Sequence, residues 1–459
     1  MRGKQFVIQV ISLFISLMLY YIIDANIYES ISIYLFSYFL LNFVDSIGYD
    51  YNVNMITILF GIFQLLIMPM IVYRMYNNDS DAIALFYNMS VEQDAYYSFV
   101  IPGLLLMIIG MQMPLIRAAT KKSFFNNSII ECKKYLKGKS NIGIVMMAIG
   151  LSSGVIEPFI SAELSYIAYL LSKLLFVGIF YILFSEIKNK KIYVIIGLAA
   201  LFIQTIIQGM FGELIYTSML AFLLLLVGKK VDFYKKLSFC IVGAFIVLVL
   251  QSIKREYRAT AWHGVKTENT SNASTFVTLL FSRLSNPGEI FDDANFFPIA
   301  VRFNQGMIQS KVMDYIPKYN PYTDGKTIFN SVIASFIPRF LWPDKPIAGG
   351  KWNMEYFTGL IIEGYSMNVG PLGEAYGNFG NKGGIYFMFF YGLFFNIVIY
   401  LLIRIAKTKP TIILWFPVLF LNSIQVETDI LMTVNALLKN CIFVAVCYWA
   451  ADRFMRIKL

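Results

Sequence analysis

The chain has 459 residues, of which 58% are hydrophobic and only 14% charged, and its mean hydropathy is +0.63. A water-soluble chain carries about 25% charge, so this composition excludes an ordinary soluble enzyme. The net charge of +10 needs no nucleic-acid partner once its placement along the chain is considered.

Apolar blocks fall at about 5–23, 31–47, 53–73, 98–116, 141–156, 163–184, 192–208, 212–228, 237–252, 383–403, 411–424 and 430–450. At ~1.5 Å per residue, each can cross most or all of a hydrocarbon core about 30 Å thick. They predict an all-α polytopic membrane protein of about twelve transmembrane helices. The first block follows Arg2 and Lys4 in the manner of a signal peptide. It is too long for one and lacks a small-residue cleavage site, so a retained helix is expected. Tyrosines such as Tyr20, Tyr21, Tyr73, Tyr96 and Tyr97 stand at block ends, where amphipathic rings favour the headgroup zone. Lys173 and Lys439 interrupt blocks, as functional groups or in structural pairs, and Glu157, Glu163, Glu213 and Glu427 at helix ends could supply partners.

With the N-terminus inside, the cytoplasmic segments collect Arg2 and Lys4, seven basic residues from Arg117 to Lys139, and Lys188, Lys190 and Lys191. Further along they hold Lys229, Lys230, Lys235, Lys236, Arg404, Lys407, Lys409, Arg453, Arg456 and Lys458. The short segments on the other side hold one basic residue, Arg74. This asymmetry predicts both termini in the cytoplasm, with the basic residues against anionic lipids of the inner leaflet. The organisation expected is a nine-helix bundle over 1–252, a long extracytoplasmic loop with short interfacial helices over 253–382, and three helices with a cytoplasmic tail over 383–459. The inverted repeats of many transporters are absent from the sequence.

The loop opens with a polar stretch that holds Arg258 and the only histidine, His263, which is more readily an incidental loop residue than a base. Apolar runs at 274–283 and 327–340 predict short helices at the interface. The second runs into IPRFLWPDKP, whose three prolines fix a rigid turn and display Arg339, Trp342 and Lys345. The last part, from Asn368 to Gly384, is rich in glycine, which permits close approach to a ligand and leaves amide donors near a helix start beside Glu374. The four cysteines, Cys132, Cys240, Cys441 and Cys447, all lie outside the loop, so no disulfide framework is expected in it. No Walker A, HExxH, CxxC or GxSxG pattern occurs, which argues against ATPase, zincin, redox and serine-hydrolase chemistry. The acidic pairs Asp79 with Asp81 and Asp292 with Asp293 are weak metal signals, solvated loop charges being commoner.

IPRFLWPDKP followed by GEAYGNFGNKGG resembles the O-antigen or capsule repeat-unit polymerases of the Wzy type, as does the plan of many spans with one large late outer loop. The resemblance implies a lipid-linked glycosyltransferase of the cytoplasmic (inner) membrane, working on the outer face without metal or other cofactor. Its partners would be an undecaprenyl-pyrophosphate-linked glycan donor and acceptor, membrane lipids and a chain-length co-polymerase. In such a reaction an acceptor hydroxyl attacks the anomeric carbon and pyrophosphate leaves, so fixed cations and a base are required. Arg339 and Glu374 are the expected catalytic residues, with Arg302, Arg283, Arg258, Lys345, Tyr376 and Asn378 as pyrophosphate or substrate contacts. Any one arginine could instead be a solvated or snorkelling side chain, and Glu374 could cap a helix or pair with Lys382. Two alternatives stay open, a flippase or transporter of lipid-linked glycan and an O-antigen ligase. The ligases carry a His-Asn pair where this chain reads Ser366-Met367-Asn368.

Overall fold

A computed structural model describes residues 2–76, 87–116, 124–208, 211–263, 272–337, 341–346, 350–361 and 367–456, and among them there is no β-strand. The helices are α1 (Arg2–Ile22), α2 (Ile27–Ser46), and α3 (Val53–Ile62), which continues through a π-helical turn, Phe63–Ile67, into α4 (Met68–Met75). Next come α5 (Gln93–Met111), α6 (Phe124–Leu136), α7 (Ser140–Ile156), α8 (Ala162–Phe184), α9 (Lys190–Gln208), α10 (Phe211–Leu226) and α11 (Phe233–His263). The loop region supplies α12 (Asn272–Ser285), α13 (Asp293–Phe303), α14 (Gly306–Tyr315), α15 (Lys326–Phe336) and α16 (Lys351–Thr358). The chain closes with α17 (Gly370–Ala406), α18 (Phe416–Leu419) and α19 (Ile430–Met455).

Eight spans among the described residues are long and apolar enough to cross a membrane: α1, α2, α3 with α4, α5, α8, α11, α17 and α19. A ninth would be α6 with α7, which pass the same test together but meet at 95°. The twelve expected blocks therefore do not map one to one. The clearest departure is the block at 411–424, a 3-10 turn (Pro410–Trp415) and the four-residue α18 followed by turns. Pro410 and Pro417 lack the N–H a continuing helix needs, and the irregular backbone is sheltered by burial of Thr411 through Leu421.

A second departure is the glycine-rich stretch, which is helical from Gly370 and not an irregular lead-in to a span. It bends at Gly380, where φ is +66°, a region closed to most side chains. Lower down, α17 crosses α5 with the backbones in contact: a Cβ on Gly392 would sit 2.1 Å from the Met107 carbonyl oxygen, and one on Gly110 2.3 Å from that of Phe389. Gly392→Ala is expected to destabilise the protein by roughly 1–3 kcal/mol through overpacking. A thermal-unfolding midpoint in detergent unchanged from the wild type would refute so tight a crossing.

The arginine set apart by the charge pattern, Arg74, has partners. Arg74 donates to Glu29 and to the carbonyls of Ile23 and Asp24, joining α4 to the start of α2, where Asn26 and Glu29 form a capping box. One apolar core joins α2–α5 with α14, α16 and the first half of α17, around Tyr96, Phe99 and Phe357. The other joins α6, α8, α10, the broken segment and the second half of α17, around Tyr181, Trp415 and Phe420. The two meet at residues 420–433, since Ile424 belongs to the latter and Ile430 to the former.

Candidate functional site

The turns before α19 concentrate polar groups in an otherwise apolar interior. Thr428 Oγ1 donates to the Gln425 carbonyl and lies 2.8 Å from Thr433 Oγ1, and Asp429 caps α19 by accepting from the Met432 N–H. Glu374, with no exposed surface, reaches across from α17 so that its Oε1 accepts from the Ile430 N–H at 2.7 Å. Two carboxylates thus meet the positive end of α19, where helix amides are left without internal partners.

Asn378 fixes Glu374 from the other side. Its Nδ2 donates to the Glu374 carbonyl at 2.8 Å, and its Oδ1 accepts from Thr323 and Thr327 at 2.6 and 2.8 Å. Just before the bend at Gly380, the carbonyls of Gly377 and Asn378 accept from the N–H groups of Thr323 and Asp324. The loop between α14 and α15 is therefore laced to the first turns of α17.

Glu427 is the reachable carboxylate. Its side chain keeps 14% of its surface exposed and pairs with Arg302 of α13, the Arg302 Nη2 donating to Oε1 at 2.6 Å. Gln64 donates to the other oxygen at 3.4 Å from the π-helical turn of α3–α4, a type of helix defect often found where function needs a displaced side chain. Burial pulls the Arg302 guanidinium down, but the charge and hydrogen bond of Glu427 outweigh it, leaving Arg302 above the ordinary arginine value. It is a permanent cation.

A long apolar groove runs beside this centre. Its volume is about 1020 Å³, and it lies between the second half of α17 and α19, lined by Phe394, Leu401, Val434, Cys441 and Tyr448 among others. Along α19 its lining runs from Val434, next to Thr433 of the polar segment, to Asp452, and Phe336 and Lys409 also border it. From Val434 to Asp452 the rise along α19 is about 27 Å, close to the thickness of a hydrocarbon core.

The residues expected from the sequence divide accordingly. Glu374, Asn378 and Arg302 gather around the start of α19. Glu374 does so as a fully buried helix contact, where the sequence reading expected a catalytic base or a helix cap. Tyr376 packs edge-on against Phe99 at 5.0 Å and against Tyr322 at 6.2 Å, as a spacer between loop and helix. Arg283 is buried between Glu289 and Glu256, at 3.0 and 3.3 Å, and joins α12 to α11. Lys345 Nζ donates to the Ile337 carbonyl near the mouth of the groove. Arg258 lies on α11, and its side chain, like that of His263, is outside the described residues. Arg339, Asp79 and Asp81 are outside them altogether.

Lys173 finds the partner foreseen for it, pairing with Glu213 while lying over the Tyr169 ring at 4.0 Å, and Lys439 lies over Tyr166 at 4.3 Å. Sequence reasoning missed Gln64, an amide inside an apolar block, and Asp429, an acid directly before a span. Both carried a signal, since polar groups at such places require partners.

The fold and centre define an all-helical protein of several long apolar spans, with a charged cluster where a broken segment enters its last helix. Residues 122–401 match DUF8712, a domain of unknown function, and the chain belongs to that family. The match includes Arg302 and Glu374 and stops before Glu427. No curated protein and no solved structure matches the chain.

Proposed function

We propose that this protein is a polymerase that joins undecaprenyl-pyrophosphate-linked oligosaccharide repeat units at the outer face of the cytoplasmic membrane. The observation that carries this reading is the apolar groove of about 1020 Å³ along α19, the helix entered from the polar segment that holds Glu427, the partner of Arg302. A groove of that length suits an isoprenoid chain, and a guanidinium with a reachable carboxylate suits the chemistry at its head. In this reading both termini are cytoplasmic and α12–α16 lie at the outer surface.

The geometry supports a division of labour. As the bond between the anomeric carbon and pyrophosphate breaks, charge grows on the departing oxygens, and the Arg302 fork stabilises it. Glu427, released from Arg302 by the incoming phosphate, takes the proton of the acceptor hydroxyl as the new glycosidic bond forms. Glu374, Asp429 and Asn378 are positioning residues that hold the turn carrying Glu427. Lys345, whose Nζ bonds to the Ile337 carbonyl, would add to the anion site, and Arg339 is proposed with it from the sequence alone.

Ala445 lines the groove, so Ala445→Trp is expected to fill it and cut polymer yield by about tenfold, a misplaced head group being costly to the rate. Slower alkylation of Cys441, which lines the same groove, would show that the space is filled. Polymer at the wild-type level in a variant with a filled groove contradicts the reading. Lys173 and Lys439, cations within α8 and α19, favour a second reading as a flippase that carries lipid-linked glycan through the bundle. A flippase would supply no repeat at all to the envelope glycan when deleted.

A further inference from the structure

Two aromatic pairs stand together on α16 and the end of α14. Trp352 and Tyr356 are stacked with centroids 4.9 Å apart and planes at 12°, and Tyr315 and Tyr319 lie 4.8 Å apart at 31°. Trp352 is 55% exposed and Tyr319 58%. The first pair is tied to the segment that follows Tyr319: Asn320 Nδ2 donates to the Tyr356 carbonyl at 2.7 Å, and the Tyr356 hydroxyl donates to the Pro321 carbonyl at 3.2 Å. Tyr356 is therefore held in place before any ligand arrives, with Trp352 stacked on it, which lowers the ordering cost of binding.

The surroundings identify the ligand class. Interfacial anchors are Trp and Tyr rings at headgroup level, accompanied by Lys and Arg and not by carboxylates. Here exposed Lys351 and Glu355 flank Trp352 on the same helix, and exposed Asp314 and Lys318 flank the tyrosines, with the Lys318 ammonium 4.8 Å from the Tyr319 ring centroid. Aromatic faces interleaved with carboxylates and ammonium groups fit a ligand that has an apolar face and a rim of hydroxyls. A pyranose is such a molecule: its C–H face is weakly positive and meets the negative ring face, while its hydroxyls donate to Asp314 and Glu355.

We propose that this platform binds the growing glycan chain, with sugar rings stacked on Trp352 and Tyr319. The proposal rests on the polymerase reading for the identity of that glycan. The platform has a fixed relation to the charged centre, because Tyr322 packs on Tyr376 and the Thr323 and Asp324 amides bond to Gly377 and Asn378 on the helix that holds Glu374. A chain seated there is kept in register with the Arg302–Glu427 pair through successive additions.

The test uses the full-length protein in nanodiscs, with glycan released by mild acid from the envelope polysaccharide of the source cell as the probe. The Trp352→Ala, Tyr319→Ala double variant is expected to bind that glycan about tenfold more weakly, and in cells to give chains several-fold shorter while the first linkage is still made. Equal affinity and equal chain length in the double variant overturn the proposal, as does strong quenching of wild-type fluorescence by brominated lipid that disappears with Trp352, which marks a membrane anchor. The two readings fail separately. If the deletion strain still makes polymer while the platform binds glycan, the polymerase reading falls and the platform stands. If polymer depends on the protein but the double variant binds and extends normally, only the platform falls.

Discussion

Replacing Arg302 with alanine is expected to abolish long-chain polymer while leaving the protein in the membrane. The loss of one donor aimed at developing charge costs on the order of 10²–10³ in rate. The structural cost is smaller, about 1–3 kcal/mol, because the pair is partly exposed, 43% for the Arg302 side chain and 14% for that of Glu427. Glu427 would keep the hydrogen bond from Gln64, at 3.4 Å. Since Arg302 is held above the ordinary arginine value, it stays charged throughout the working pH range and acidity changes will not imitate its removal. Arg302→Lys then separates charge from shape: a point charge without the planar fork should restore little if two phosphate oxygens are held at once. Polymer at the wild-type level from Arg302→Ala, at normal expression, removes Arg302 from the site.

The second large effect concerns Glu374. Glu374→Ala leaves the buried Ile430 N–H without its acceptor and should cost about 1–3 kcal/mol, loosening the turn that carries Glu427 and lowering polymer yield with it. Glu374→Gln keeps an oxygen at the same place and should preserve both folding and most of the polymer. A base would behave differently, since the amide removes proton acceptance as completely as alanine does. If Glu374→Gln is as well folded as the wild type by thermal midpoint yet makes no polymer, Glu374 acts chemically and its assignment as a positioning residue is wrong.

The sequence made the helical class and most spans legible because an apolar block long enough to cross a bilayer has few other physical outcomes. The short helices at Asn272–Ser285 and Lys326–Phe336 were legible for a related reason, their apolar stretches being bounded by polar turns. Less legible was the block at 411–424, where hydropathy registers burial but not whether the backbone continues. The glycine-rich stretch misled in the same way: glycine permits both an irregular loop and a closely packed helix, and only contacts such as those of Gly377 against Phe357 and Gly384 against Ala375 decide between them. At the site, Arg302 and Glu374 were chosen by residue type. Type alone could not reveal that Glu374 is closed off by α19 or that Arg283 is held by Glu256 and Glu289 from neighbouring turns. Glu427 stood out only as a partner at a helix end, because its pairing with Arg302 spans 125 positions in sequence.

The central claim is tested most directly by deleting the protein from its source cell and profiling the envelope polysaccharide by electrophoresis, with complementation by wild type and by Arg302→Ala. The account predicts loss of long chains with a single repeat unit still attached, rescue by the wild type, and no rescue by Arg302→Ala. Unchanged long chains in the deletion strain, or the absence of any attached repeat, would contradict it.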